Sequence, residues 1–281
     1  MTFSESLKTN RTWLLLALLL LANLYRGVLP GMVHQWYEDA NYSHGFVVPF
    51  IAGYFVYDRR LKLADVTVER WWPGFALFSF GLLQLVLGWL ATEYFTMRSS
   101  LVVVLAGLAL FFFGKGLFRL LLLPLCYLLF MVPLPYIVYD SVAFPLKIFV
   151  TKASIAFLKL AGVVVMREGN IILLPTTTLE VADACSGVRS LISLLALAVA
   201  YSFFIRLTPL KRCLLILAAI PIAVCANAVR VIGTGFLAQY WGARAAEGFF
   251  HEFAGMAVFV VAIALLVSLG ALLSERDRRT P

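Results

Sequence analysis

The chain has 281 residues, of which 62% are hydrophobic and 14% charged. Soluble domains average about 45–50% apolar and about 25% charged residues, so this composition excludes a soluble globular domain and points to an integral membrane protein. The net charge of +8 reads first as topology, because Lys and Arg accumulate in cytoplasmic loops; the basic residues are scattered over short loops, which argues against nucleic-acid binding.

A membrane-spanning helix needs roughly 20 apolar residues. In chain order the apolar runs are 12–29, 45–57, 73–91, 100–113, 117–133, 186–205, 213–238 and 253–273. They predict an all-α membrane protein of about eight spans, organised as one polytopic domain over residues 1–281. The first run follows Lys8 and Arg11. It is longer than the core of a signal peptide and lacks a small-residue cleavage site, so it is read as a retained helix.

With the N-terminus inside, the inner segments hold Lys8, Arg11, Arg59, Arg60, Lys62, Arg70, Lys115, Arg119, Arg206, Lys211, Arg212, Arg276, Arg278 and Arg279, the majority of the 23 basic residues. The positive-inside rule then places both termini in the cytoplasm. The outer face receives 30–44, 92–99, 134–185 and 239–252. The first of these ends in Tyr42-Ser43-His44, followed by Gly45.

The long outer segment has two parts. From Tyr136 to Ala161 it is apolar but carries Asp140, Lys147, Lys152 and Lys159. At about 100° per residue these four fall within an arc of roughly 140°. The pattern predicts a helix lying in the outer interface with its apolar face in lipid; the alternative, a further span, has to carry all four charges. From Val163 to Val181 come β-branched residues, Gly169-Asn170, and Pro175 followed by three threonines. This reads as a short β-hairpin at the membrane surface.

The four cysteines, Cys126, Cys185, Cys213 and Cys225, show no CxxC or CxxH spacing, so no zinc site and no metal is expected. Three lie within apolar runs and are read as small core residues. Cys185 alone stands at a polar boundary, within Glu180-Val181-Ala182-Asp183-Ala184-Cys185-Ser186-Gly187-Val188-Arg189. It lies about one residue before the sixth run. A helix N-terminus stabilises the reactive thiolate. Arg189, four residues on and on the same helical face, adds positive charge. The other reading of Cys185 is a structural cysteine at a helix start.

Two later stretches offer partners. Arg230 is embedded in an apolar run with Asn227 one turn earlier. A charge inside a span marks a functional site by default, and a guanidinium can stabilise an oxyanion. The competing reading is an interhelical ion pair with Glu180, Asp183 or Glu252, and Arg189 could hold either role. His251, followed by Glu252, starts the last span. Histidine titrates near neutrality and suits a general acid or base for a thiol. His44 competes for that role. Asp183 fits a helix cap, and either Glu180 or Asp183 could instead orient His251 or pair with an arginine.

Together these stretches resemble the exosortases and archaeosortases. The resemblance rests on Cys185 in ACSGVRS, Arg230 in NAVRV and His251 in HEFAG, in that order on late spans, with Tyr42-Ser43-His44-Gly45 similar to the family's early motif. It runs from about residue 30 to 273 and implies a membrane-embedded cysteine protease-transpeptidase in the cytoplasmic (inner) membrane, with its active site facing outward. The implied substrates are exported proteins whose C-terminal sorting signal combines a Pro-Glu-Pro-type motif, an apolar helix and a basic tail. The acyl group then passes to an acceptor; bacterial members are associated with extracellular polysaccharide. Under the resemblance Cys185 is the nucleophile, Arg230 the oxyanion stabiliser and His251 the general acid and base, with no cofactor.

A membrane transporter or polysaccharide-export component is the alternative, with Arg230 and Asn227 lining a solute path. Against it stands the absence of paired Gly/Pro-broken spans in two matching halves. A third possibility, a structural scaffold, assigns neither Cys185 nor Arg230 any role beyond stability.

Overall fold

The computed structural model describes residues 1–175, 178–180, 187–242 and 249–278, with backbone alone at 179–180, 249–252 and 275–278. The chain divides into two compact units, Met1–Pro135 and Tyr136–Pro281.

The first unit begins with α1 (Phe3–Thr9), whose N-terminus is closed by reciprocal bonds between Thr2 and Glu5. Then come α2 (Arg11–Leu24) and α3 (Leu29–Glu38), bent by 61° across the break between them. The fully buried Tyr25 sits at that break, its hydroxyl 2.8 Å from Ser100 Oγ. A 3-10 turn (Ala40–Phe46), α4 (Val48–Asp58) and the short α5 (Arg60–Ala64) lead to the main pair, α6 (Pro73–Leu90) and α7 (Tyr94–Tyr127).

α6 and α7 approach closely because α6 carries Gly74, Gly81 and Gly88 at seven-residue intervals. A Cβ at these positions would meet Phe111, Val104 and Met97 of α7 at 2.3–2.8 Å. Small residues that let backbones touch are the usual cement of helix pairs in lipid, where no hydrophobic effect pulls helices together.

The second unit contains α8 (Tyr136–Leu160), three short strands, α9 (Val188–Phe204), α10 (Pro209–Trp241) and α11 (Phe249–Arg278). β1 (Met166–Glu168), β2 (Ile171–Leu173) and β3 (Thr178–Glu180) form an antiparallel sheet in sequence order. One core cluster joins α8, the sheet and the C-terminal half of α10 through Val150, Leu158, Ile172, Val231 and Ala238. Another joins α9, α10 and α11 through Leu194, Leu215, Ala219 and Leu266.

The molecule is helical, with several apolar helices that fit a multi-pass membrane protein, and not all of the expected eight spans are recovered among the described residues. Among the described residues, five stretches have the length and hydropathy to cross a bilayer: α6, Tyr94–Met131, α8, α10 and Phe253–Ser274. The bent α2–α3 pair makes a sixth if it is one broken span. The run 45–57 yields only the 11 residues of α4, about 16 Å at 1.5 Å per residue, too short for a bilayer of about 30 Å. The run 186–205 yields the 17-residue α9. The runs 100–113 and 117–133 join into α7 across a kink at Gly114 (φ 76°, ψ −176°). A Cβ there would lie 2.3 Å from the Glu69 carbonyl oxygen, so the close approach of that backbone and the kink both require glycine.

The segment expected to lie in the interface is helical throughout. α8 is a single helix of 25 residues that meets the length and hydropathy of a span. Its buried stripe, Tyr139, Ala143, Val150, Ser154 and Leu158, faces protein: Leu158 lies against Gly235 of α10, and Tyr139 and Ala143 cluster with Val188. Asp140, Lys152 and Lys159 take the exposed side. The helix has a second apolar side as well: Ile137, Phe144, Phe149, Phe157 and Leu160 are exposed. Cys126, Cys213 and Cys225 are likewise exposed rather than core, since an apolar run bathed in lipid has an outward face as apolar as its inward one.

Candidate active site

The candidate site centres on α10, which carries Asn227 and Arg230. Thr208 accepts from Lys211 N to cap its start, and Pro209 occupies the first helical position, where a missing N–H costs nothing. The helix then continues for 33 residues, so Asn227 and Arg230 sit on one face a turn apart. Asn227 is 4% exposed. Arg230 is half-buried, and its carbonyl accepts a 3.0 Å bond from Thr234 Oγ1 one turn on.

Each of these side chains rests against a glycine of another segment. Gly187, which precedes α9, has φ 80° and ψ −8°. A Cβ there would lie 2.9 Å from Asn227 Nδ2 and 3.0 Å from its Cγ. Gly255 is on α11. A Cβ there would lie 2.8 Å from Arg230 Cζ and 2.9 Å from Nη2. The amide of Asn227 therefore lies against the start of α9, and the guanidinium of Arg230 against the start of α11. Gly187 is two residues beyond Cys185 in sequence, and Gly255 is four residues, about one turn, beyond His251.

Cys185 and Asp183 lie outside the described residues. Glu180 ends β3, opposite Ile171. His251 and Glu252 belong to the first turn of α11; the side chains of all three lie outside the description. Arg189 is half-buried in the first turn of α9.

His44 belongs to the first unit, where it serves a clamp. Its Nε2 lies 3.1 Å from the Phe130 carbonyl. Tyr42 Oη donates to Leu134 O at 3.3 Å, and Trp36 Nε1 donates to Met131 O at 2.8 Å. Gly45 fits only because it lacks a Cβ, which would fall 2.4 Å from Trp36 Nε1. The Tyr42–Gly45 motif thus pins the turn after α7 through its backbone carbonyls. Burial holds the His44 pKa below the ordinary 6.5, against the opposing pull of its carbonyl partners.

One charged residue escaped the sequence reading. Arg98, expected in an outer loop, is 8% exposed in the first turns of α7. It donates to Gln35 Oε1 and, at 3.4 Å, to the Gly31 carbonyl, and it lies over the Tyr94 ring at 5.4 Å. It ties α7 to α3. The signal available in the sequence was Glu93, whose carboxylate caps α7 by accepting from Phe95 and Thr96 N–H; an acidic cap there starts the helix before Arg98 rather than after it.

No curated protein and no solved structure matches the chain. A family model does: that of the transmembrane exosortases, over residues 36–268. The match takes in the Tyr42–Gly45 clamp, the segment around Cys185, the Asn227–Arg230 pair and the start of α11. Its span covers most of the chain and agrees with the helical, multi-pass architecture, and membership points to a membrane peptidase or transpeptidase. The chain belongs to the transmembrane exosortase family.

Proposed function

We propose that the protein is a cysteine-dependent transpeptidase of the cytoplasmic membrane, acting at the outer face on exported proteins that carry a C-terminal sorting signal with its own apolar helix. Cys185 attacks the scissile carbonyl. Arg230 stabilises the tetrahedral oxyanion. His251 protonates the leaving amine and then deprotonates the acceptor, which takes up the acyl group. Both termini are cytoplasmic in this reading.

One observation carries it: Asn227 and Arg230, adjacent on one face of α10, touch the glycines that follow Cys185 and His251. Two residues of chain reach at most about 7 Å, so this reading keeps the proposed nucleophile within that reach of Gly187. A single helical turn of about 5.4 Å separates the His251 backbone from the seat of the Arg230 guanidinium. In this reading a thiol, an imidazole and a guanidinium come together, and these are the parts acyl transfer needs. The helix ends favour thiolate, and a fixed cation stabilises the charge that develops on oxygen. The apolar helix of the substrate would hold the scissile bond at membrane-surface depth and supply proximity.

The test is Cys185→Ala in cells or proteoliposomes that supply a sorting-signal substrate. The variant is expected to insert and to accumulate uncut precursor. Processing at the wild-type rate would overturn the mechanism and favour a solute path through Asn227 and Arg230, for which Cys185 is dispensable.

A further inference from the structure

We infer that Gly255 is a positioning residue for Arg230: the missing side chain on α11 is the seat in which the guanidinium lies. This rests on the reading of Arg230 as the oxyanion stabiliser, although the seat itself is geometric.

The Cβ of an alanine at Gly255 would lie 2.8 Å from Arg230 Cζ, 2.9 Å from Nη2 and 3.1 Å from Nε. Carbon atoms in ordinary contact stand about 3.5–4.0 Å apart, so the head group would have to retreat by roughly 0.7 Å or more. All three atoms belong to the far end of a long, flexible side chain. Relief therefore costs little in folding energy, while the position of the charge changes. The glycines of the α6–α7 pair are different, because the obstacles at Gly74 and Gly107 include backbone atoms and those helices would have to separate. Gly255 controls where the charge sits without serving as a main support of the fold.

The arrangement also explains how a costly group is placed. A half-buried guanidinium in an apolar helix must be held in one position to be useful. α10 supplies the charge and α11 supplies the space. Gly255 lies one turn beyond His251, so the helix start that carries the imidazole also sets the guanidinium. A movement of α11 along its axis would shift the two groups in concert.

The experiment compares purified, reconstituted Gly255→Ala, Arg230→Ala, the double variant and Gly233→Ala. Gly233 is an α10 glycine whose Cβ would meet nothing within 4 Å, so its alanine variant controls for adding a methyl to a helix. Two readouts are taken: kcat and KM for sorting-signal cleavage, and the rate at which phenylglyoxal modifies Arg230, followed by peptide mass spectrometry. Misplacing a reacting group by about 1 Å can cost about a hundredfold, so Gly255→Ala should lower kcat by about tenfold or more with KM little changed. The double variant should be no worse than Arg230→Ala. Arg230 should be modified at least severalfold faster in Gly255→Ala than in the wild type or Gly233→Ala. If Arg230→Ala abolishes cleavage while Gly255→Ala changes neither kcat nor modification, the seat is wrong and the catalytic reading survives. If Arg230→Ala cleaves normally, the catalytic reading fails, and the modification rate still decides the seat.

Discussion

Gly187→Ala isolates the contact that ties the segment following Cys185 to α10. Gly187 has φ 80°, and an alanine in the left-handed region costs about 1–2 kcal/mol. The added Cβ also falls 2.9–3.1 Å from three atoms of Asn227, a side chain that is 4% exposed and has little room to yield. Crowding of this kind in a packed site costs about 1–3 kcal/mol, so the total should reach about 2–5 kcal/mol if nothing relaxes. Gly162 provides the matched control: its φ is 83° and a Cβ there meets nothing within 4 Å, so Gly162→Ala should carry the backbone cost alone. For a protein this large, about 1 kcal/mol moves the melting midpoint by about 2–4 °C. The assay is thermal unfolding of both variants in the same detergent, with cleavage measured on each. Gly187→Ala should melt several degrees below Gly162→Ala and lose activity that Gly162→Ala retains. Combining it with Asn227→Ala, which deletes the two nearest of the three atoms, should recover part of the excess loss. Equal melting of the two glycine variants would refute the contact between Gly187 and Asn227 and the convergence built on it.

His44→Gln keeps an N–H donor for the Phe130 carbonyl but removes the titration. Because burial lowers the His44 pKa below 6.5, the folded state binds fewer protons than the unfolded one. Stability should therefore be full above about pH 6.5 and fall as the pH drops below it, a fall that His44→Gln reduces in melting curves taken from pH 7.5 to 5. Gly114→Ala forces a residue into a backbone region open essentially to glycine, at about 1–3 kcal/mol, and puts its Cβ 2.3 Å from the Glu69 carbonyl oxygen, so little folded protein should survive detergent extraction and gel filtration. Arg98→Met should loosen α3 from α7 by removing the bonds to Gln35 and Gly31, seen as faster proteolysis between residues 25 and 47 than in the wild type.

Legibility in the sequence tracked how local the cause was. The run 73–91 appears as Pro73–Leu90 and the run 213–238 within Pro209–Trp241, because twenty apolar residues are helical in lipid whatever surrounds them. The joining of two runs at Gly114 was hidden, since a glycine reads equally as a turn or as a kink until the Glu69 carbonyl is seen against it. The Tyr42–Gly45 motif was visible as a motif, but not as a clamp, because its partners are backbone carbonyls between 130 and 134 that carry no side-chain signature. Arg98 was hidden because a charge ends an apolar run in sequence whether or not the helix continues through it, as α7 does from Tyr94.

Composition and order determined that this is a multi-pass helical membrane protein of the exosortase family, with polar residues at three marked places along its later half. Tertiary structure decided which of those places meet. Asn227 and Gly187 are 40 positions apart, and Arg230 and Gly255 are 25 apart. Their contacts depend on where α9 and α11 cross α10, and a crossing point is set by side-chain volumes along whole helix faces, the absent ones at glycine included. No periodicity within a single helix encodes that sum.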